Sequence, residues 1–211
     1  MTDLFSNTRP DIEEIYPDIF VLPNFAETSS LLNQVEKIIE QAPFRKMMTP
    51  IGHYTGIALT NCGEYGWTSD AEGYRYSKLD PQTNNPWPSL PASFSQLANR
   101  AASRVAFQNF KPDACLINQY FVGNKLGSHQ DKNEQDFSHP IVSISIGLPA
   151  IFQVFGATRA GIKVEYLLQD GDVMVWGRSA RLTYHGVKTI RADKIDPLRK
   201  YRINITMRTS R

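Results

Sequence analysis

From Asp113 to the C-terminus the chain is a run of short strand-like segments bounded by turn residues, at 114–121, 141–148, 163–168, 172–176, 181–187 and 200–208. "IVSISIGL" (141–148) alternates, with Val142, Ile144 and Ile146 on one face and Ser143 and Ser145 on the other. "QDGDVMVWG" (169–177) is a turn feeding a strand. Closely spaced strands with no helices between them predict a sandwich or jelly roll.

Helical period is confined to the front of the chain. In "ETSSLLNQVEKIIEQA" (27–42), Leu31, Leu32, Val35, Ile38 and Ile39 form one apolar face, Ser29 or Ser30 caps the start, and Pro43 stops the helix. A second helix is predicted from about Ala92 to Val105, with Phe94, Leu97, Ala98 and Ala101 in its stripe. Residues 60–91 read as a long loop carrying Tyr65, Trp67, Tyr74, Tyr76 and Trp87. Such a loop is functional or disordered, and its aromatic content argues against disorder. Each aromatic either serves a function or anchors the loop to the core.

A chain of 211 residues suffices for one domain with a real core, and 41% hydrophobic with 21% charged residues is ordinary for a soluble globular protein. The 23 basic and 21 acidic residues leave +2, which neither supports nor excludes a nucleic-acid substrate. No apolar run approaches the roughly 18–20 residues of a membrane helix, and the acidic N-terminus lacks the apolar stretch of a signal peptide. Cys62 and Cys115 have no metal spacing and point to a reducing compartment, with the cytoplasm as the expected location.

The chemistry-bearing stretch is "GSHQDKNEQD" (127–136). On a strand, His129 and Asp131 would aim imidazole and carboxylate to the same side. His-x-Asp alone is weak evidence, because such tripeptides occur by chance and usually sit in exposed polar loops. His185, at the end of the predicted strand "RLTYHGV", supplies a third ligand. Two histidines and a carboxylate match the facial triad of non-haem Fe(II) oxygenases; His53 and His139 fit that role less well. Such iron needs an electron-supplying co-substrate. 2-Oxoglutarate chelates through its 1-carboxylate and 2-oxo group, and its far carboxylate calls for an arginine. In "YRINITMR" (201–208), Arg202, Asn204, Thr206 and Arg208 share one strand face, and Ile203, Ile205 and Met207 the other. Six residues of strand span roughly 20 Å, so the two arginines would approach opposite ends of the co-substrate. Asn118 and Tyr120 share a face of "CLINQYF" and offer an amide and a phenol, or are half-buried strand residues.

These pieces resemble one family, the AlkB-type Fe(II)/2-oxoglutarate dioxygenases that repair alkylated nucleic-acid bases. The resemblance lies in "TNCGEYGWTS", "DPQTNNPWPSLP", "DACLINQY", "SHQDKNE", "PIVSISIGLPAIFQ", "GDVMVWG", "YHG" and "YRINITMR", and covers most of the chain from about residue 43. It implies a mainly β protein with flanking helices (α+β): a double-stranded β-helix, or jelly-roll, core with an N-terminal nucleotide-recognition lid. The whole chain, 1–211, would be one domain, with helices and lid in 1–110 and the dioxygenase core in 111–211. His129, Asp131 and His185 would ligate Fe(II). Asn118, Tyr120, Arg202, Asn204 and Arg208 would hold 2-oxoglutarate. Trp67 would stack on a flipped base, Tyr74 would touch the nucleic-acid backbone, and Tyr76, Asn133 and Arg159 would complete the substrate contacts. Asn133 stands where the family pattern has an acidic residue, and the segment around "PIGHYTGIALT" is one residue shorter than that pattern. The implied reaction uses O2 and 2-oxoglutarate to demethylate bases such as 1-methyladenine and 3-methylcytosine, releasing formaldehyde, succinate and CO2. The implied partner is alkylated DNA, single-stranded or duplex with the base flipped out, or RNA, acted on by a monomer with no membrane. Rival readings are the same iron chemistry on a protein or small molecule, and a non-catalytic jelly-roll binding module.

Overall fold

The computed structural model describes residues 9–193 and 200–211. The first eight residues of the stretch read for a signal peptide lie outside them. In chain order the strands are Glu13–Tyr16 (β1), Ile19–Leu22 (β2), Ala58–Gly63 (β3), Gly66–Asp70 (β4), Gly73–Ser77 (β5), Ala114–Phe121 (β6), Leu126–His129 (β7), Ile141–Gly147 (β8), Ala150–Gly156 (β9), Val164–Leu168 (β10), Val173–Trp176 (β11), Tyr184–Val187 (β12) and Tyr201–Arg208 (β13). Two helices, Thr28–Gln41 (α1) and Ala92–Arg104 (α2), precede most of them.

Seven strands form the larger sheet, in the order β1-β2-β11-β8-β13-β6-β3, and four form the smaller one, β10-β9-β12-β7. β4 and β5 pair only with each other, as a hairpin. The first 110 residues therefore supply three strands of the larger sheet as well as the helices. β13 runs antiparallel between β6 and β8, and its alternation sorts two environments. Ile203, Ile205 and Met207 join the core under the helices, with Phe94, Leu97 and Ala98 of α2 and Leu31, Val35 and Ile38 of α1. Arg202, Asn204, Thr206 and Arg208 face the other way, toward the space between the sheets. The same split holds on β8, where Ser143 and Ser145 are buried opposite Val142, Ile144 and Ile146.

Four sequence expectations change. Ser29 and Ser30 do not cap α1. Their backbone N–H groups donate to the carboxylate of Glu27 at 3.0 Å each, so the cap lies earlier and is an anion at the positive end of the helix. Residues 60–91 are not one loop, because β3 continues the main sheet and β4 and β5 form the hairpin. The strand expected over 181–187 begins only at Tyr184, after a 3-10 turn at Arg178–Ala180. No strand was expected over 150–156, where β9 runs, since half-buried Ile151 and Phe155 on its outer face hide the alternation.

Trp87 fastens the foot of the hairpin. It is buried, and its indole N–H donates to the Ser77 carbonyl at 2.9 Å. Gly66, at the start of β4, lies flat against that indole; a Cβ there would come within 2.3 Å of Trp87 Cε2. Gly66→Ala is therefore expected to destabilise the protein by about 1–3 kcal/mol through overpacking. Urea unfolding measures this, and an unchanged midpoint would show that Trp87 has room to move.

Candidate metal and co-substrate site

Between the sheets lies a cavity of about 450 Å3, with the β4–β5 hairpin forming part of its wall. All thirteen residues named above as metal, co-substrate or substrate contacts line it.

Register brings the histidines together. His129 ends β7 and His185 lies directly opposite on β12. In both, Nδ1 sits 2.9 Å from the carbonyl two residues earlier, Gly127 and Thr183. A carbonyl only accepts, so Nδ1 carries the proton and the Nε2 lone pair faces the cavity. Asp131 was expected on the same strand, but it lies two residues past the end of β7. Arginines place it instead. Arg208 Nη2 donates to Asp131 Oδ2 at 2.6 Å, and Arg181 Nη1 donates to the Asp131 carbonyl at 2.9 Å. Each histidine Nε2 is 3.8 Å from a carboxylate oxygen of Asp131, and one donor atom from each of the three residues lies within 4.8 Å of the others.

Electrostatics put His185 and Asp131 in their ligating forms. Burial pushes the His185 pKa down to about 4, with His129 adding to the effect and Asp131 opposing it, so the ring is neutral near pH 7. Burial alone would raise Asp131, but Arg208 and the two histidines outweigh it and hold the carboxyl well below the usual range. Phe152 stacks on the His185 ring at 5.6 Å, and Trp176 meets it edge-on at 5.4 Å. Two imidazoles and one carboxylate converging on a point suit a divalent iron.

The co-substrate residues form an adjoining wall. On β13, Arg202 lies opposite Tyr120 and Asn204 opposite Asn118. Arg202 is 2% exposed. Its Nη2 donates to Ser145 Oγ at 2.8 Å, its contact with the Leu148 carbonyl is long at 3.5 Å, and its Nε is buried without a partner. No carboxylate of the described residues lies within ion-pair distance of it. Burial lowers its pKa to about 10, with Tyr120, Asp172 and Asp170 pulling upward, so it remains a cation at neutral pH. A buried cation with an orphaned donor is a fitting partner for the far carboxylate of 2-oxoglutarate. Burial raises the Tyr120 phenol to about 12, against the pull of Arg202, which keeps its hydroxyl protonated. Asn204 is committed inside the protein, to Ser143 Oγ at 2.7 Å, the Ile144 carbonyl at 3.1 Å and Thr206 at 2.9 Å. Arg208 is likewise engaged, with Asp131 and Glu134.

Around the mouth, Trp67 stacks on Tyr74 with centroids 5.6 Å apart and planes 17° from parallel, and its indole N–H donates to Asn133 Oδ1 at 3.2 Å. Tyr74 is 48% exposed. Tyr76 is buried and its hydroxyl donates to Glu134 Oε1 at 2.7 Å, so it presents ring rather than hydroxyl to the cavity. Arg159 is exposed, with its guanidinium 5.5 Å from the Tyr184 ring centroid. The sequence reading gave no role to Glu134, Arg181, Phe152 or Trp176. Glu134 was visible as an acid beside Asn133, but in "DKNEQD" it reads as solvated.

A family model for the 2OG-Fe(II) oxygenase superfamily matches residues 18–208. The chain is 45% identical over 210 residues to the Escherichia coli alpha-ketoglutarate-dependent dioxygenase AlkB, spanning 99% of this chain and 97% of the other. It is 36% identical to the AlkB homologue of Caulobacter vibrioides over 93% of this chain and 90% of that one. A solved structure of OsALKBH1 superposes with a TM-score of 0.76 at 26% identity, covering 94% of this chain and 99% of that one. The chain belongs to the 2OG-Fe(II) oxygenase superfamily, as an AlkB-type dioxygenase with the jelly-roll fold of that class. Its cofactors are accordingly Fe(II), 2-oxoglutarate and O2.

The two arginines of β13 should respond oppositely to removal. Arg208→Ala leaves two buried carboxylates facing each other and is expected to destabilise the ligand-free protein by about 3–5 kcal/mol. Arg202→Met removes a buried charge that no carboxylate of the described residues reaches within ion-pair distance, and is expected to raise the unfolding midpoint. Equal losses in chemical denaturation of both variants would show that Arg202 is compensated within the fold.

Proposed function

We propose that this dioxygenase dealkylates N-alkylated bases in nucleic acid, with 1-methyladenine and 3-methylcytosine as the type substrates. The observation that carries this is the Trp67–Tyr74 aromatic pair opening on the same cavity as the His129–Asp131–His185 cluster. Flat bases stack on aromatic rings, and an N-methylated base that cannot pair is easily extruded from a helix. More distant relatives agree in substrate class. Human "nucleic acid dioxygenase ALKBH1" is 30% identical over 60% of this chain and 30% of its own length.

His129, Asp131 and His185 would hold the iron. Arg202 and Tyr120 would bind the far carboxylate of 2-oxoglutarate, and Asn118, Asn204 and Arg208 would shape the wall around it. When bound, Fe(II), 2-oxoglutarate and O2 together supply an oxidant for a C–H bond, with succinate and CO2 as co-products. An N-methyl group hydroxylated in this way leaves as formaldehyde. The β4–β5 hairpin would act as the recognition lid, with Trp67 under the base, Tyr74 and Arg159 toward the nucleic-acid backbone, and Tyr76 and Asn133 at the base edge. In this reading the N-terminal 110 residues carry the lid and 111–211 the catalytic core of one domain. The acting species is a monomer of the cytoplasm, where the two free cysteines stay reduced.

Formaldehyde release from methylated oligonucleotides, compared with free amino acids, tests the substrate class, with Asp131→Ala as the inactive control. Release from amino acids alone would replace the nucleobase with a small-molecule substrate. Arg202→Ala is expected to raise the KM for 2-oxoglutarate roughly 10–150-fold through loss of a charge-assisted hydrogen bond. Loss of oligonucleotide affinity instead would make Arg202 a phosphate contact. Trp67→Ala should weaken capture of the methylated base by about 1–3 kcal/mol, so that fewer bases are demethylated per succinate formed, and Trp67→Phe should recover part of this. A large fall in Tm with an unchanged succinate-to-formaldehyde ratio would make Trp67 a structural anchor.

A further inference from the structure

Two and three residues after Asp131, two adjacent side chains hold one rung of the β4–β5 hairpin. Trp67 and Tyr76 are cross-strand partners in that hairpin. The Trp67 indole donates to Asn133 at 3.2 Å, and the Tyr76 hydroxyl donates to Glu134 at 2.7 Å. Glu134 is itself deeply buried, 6% exposed, between two guanidiniums. Its Oε1 lies 3.3 Å from Arg208 Nε and its Oε2 lies 3.3 Å from Arg181 Nη2. Both arginines also hold Asp131, one by the carboxylate and one by the carbonyl. We infer that Glu134 is a positioning residue that couples the hairpin to the metal carboxylate, through the path Tyr76–Glu134–Arg208–Asp131. It rests on the site reading given above.

The geometry states what Glu134 does. Arg208 approaches a single oxygen of Asp131, with Nη2 at 2.6 Å and Nε at 3.3 Å from Oδ2. Glu134 Oε1 lies at ion-pair distance from the same Nε, also 3.3 Å away. A guanidinium paired with one carboxylate closes on both of its oxygens as a fork. Glu134 lies beside the same edge of the guanidinium, where its charge would hold Arg208 on Oδ2 and keep Oδ1 free of an Arg208 hydrogen bond. A base entering against Trp67 loads the rung that Tyr76 shares, and Tyr76 passes that load to Glu134 and so to Arg208.

The experiment uses the full chain, Mn(II) as the metal probe, and a single-stranded oligonucleotide carrying one 1-methyladenine. By calorimetry, Glu134→Gln is expected to bind Mn(II) about 10–100-fold more weakly than the wild type, the usual effect of removing a partner behind a metal ligand. Tyr76→Phe keeps the Glu134 charge, so its Mn(II) affinity should stay within about twofold of the wild type. Under anaerobic conditions the oligonucleotide should shift the visible band of the Fe(II)–2-oxoglutarate wild-type complex. In Tyr76→Phe the band should form but not shift, and in air succinate should exceed formaldehyde. Wild-type Mn(II) affinity in Glu134→Gln would overturn the positioning role. A retained shift and an unchanged ratio in Tyr76→Phe would overturn the coupling, and this arm stands even where Glu134→Gln does not fold. No formaldehyde from the wild type would sink the nucleobase reading, while the Mn(II) arm would still decide the role of Glu134.

Discussion

Arg208 closes β13 with its guanidinium buried between Asp131 and Glu134, and the site is organised around that contact. It joins a strand in the middle of the larger sheet to the segment that follows an edge strand of the smaller one. Without it, Asp131 would sit in coil with nothing in its local sequence to aim it between the histidines. The ionised state of that carboxylate follows from the same contact, since burial alone would favour the neutral acid. A metal site built this way borrows its geometry from an ion pair between sheets and not from the backbone of a single strand.

The strand β13 carries two arginines on one face and treats them differently. Arg208 is matched by carboxylates and contributes to the fold, whereas Arg202 keeps its charge beside a serine hydroxyl and a backbone carbonyl. The alternation that puts both on the cavity side comes from the core on the other side, where Ile203, Ile205 and Met207 leave no choice of register. Packing by the helices therefore sets the direction in which the cations point.

Alternation in the sequence made much of this legible. "IVSISIGL" and "YRINITMR" show their two faces directly, and the antiparallel pairing of β12 with β7 brings together histidines far apart in the chain. The hairpin was hidden because Gly, Asp and Glu at its turn and cross-strand Trp67 and Tyr76 read as an aromatic loop. Asp131 does lie beside the two histidines, but not for the local reason the sequence suggested, since the strand ends at His129. The burial of Glu134 could not be read at all. Three acids or amides and a lysine surround it in sequence, while the partners that bury it, Tyr76, Arg181 and Arg208, come from three distant segments.

The charge of Arg202, which no carboxylate of the described residues reaches within ion-pair distance, has a further consequence. A group that binds only the folded state stabilises it by mass action, by about 2.7 kcal/mol at a hundred times its dissociation constant. Where a dicarboxylate completes the surroundings of Arg202, the fraction of unfolded chains open to proteases falls as that metabolite rises. The lifetime of the folded chain would then follow the concentration of that dicarboxylate, through a residue placed to bind it.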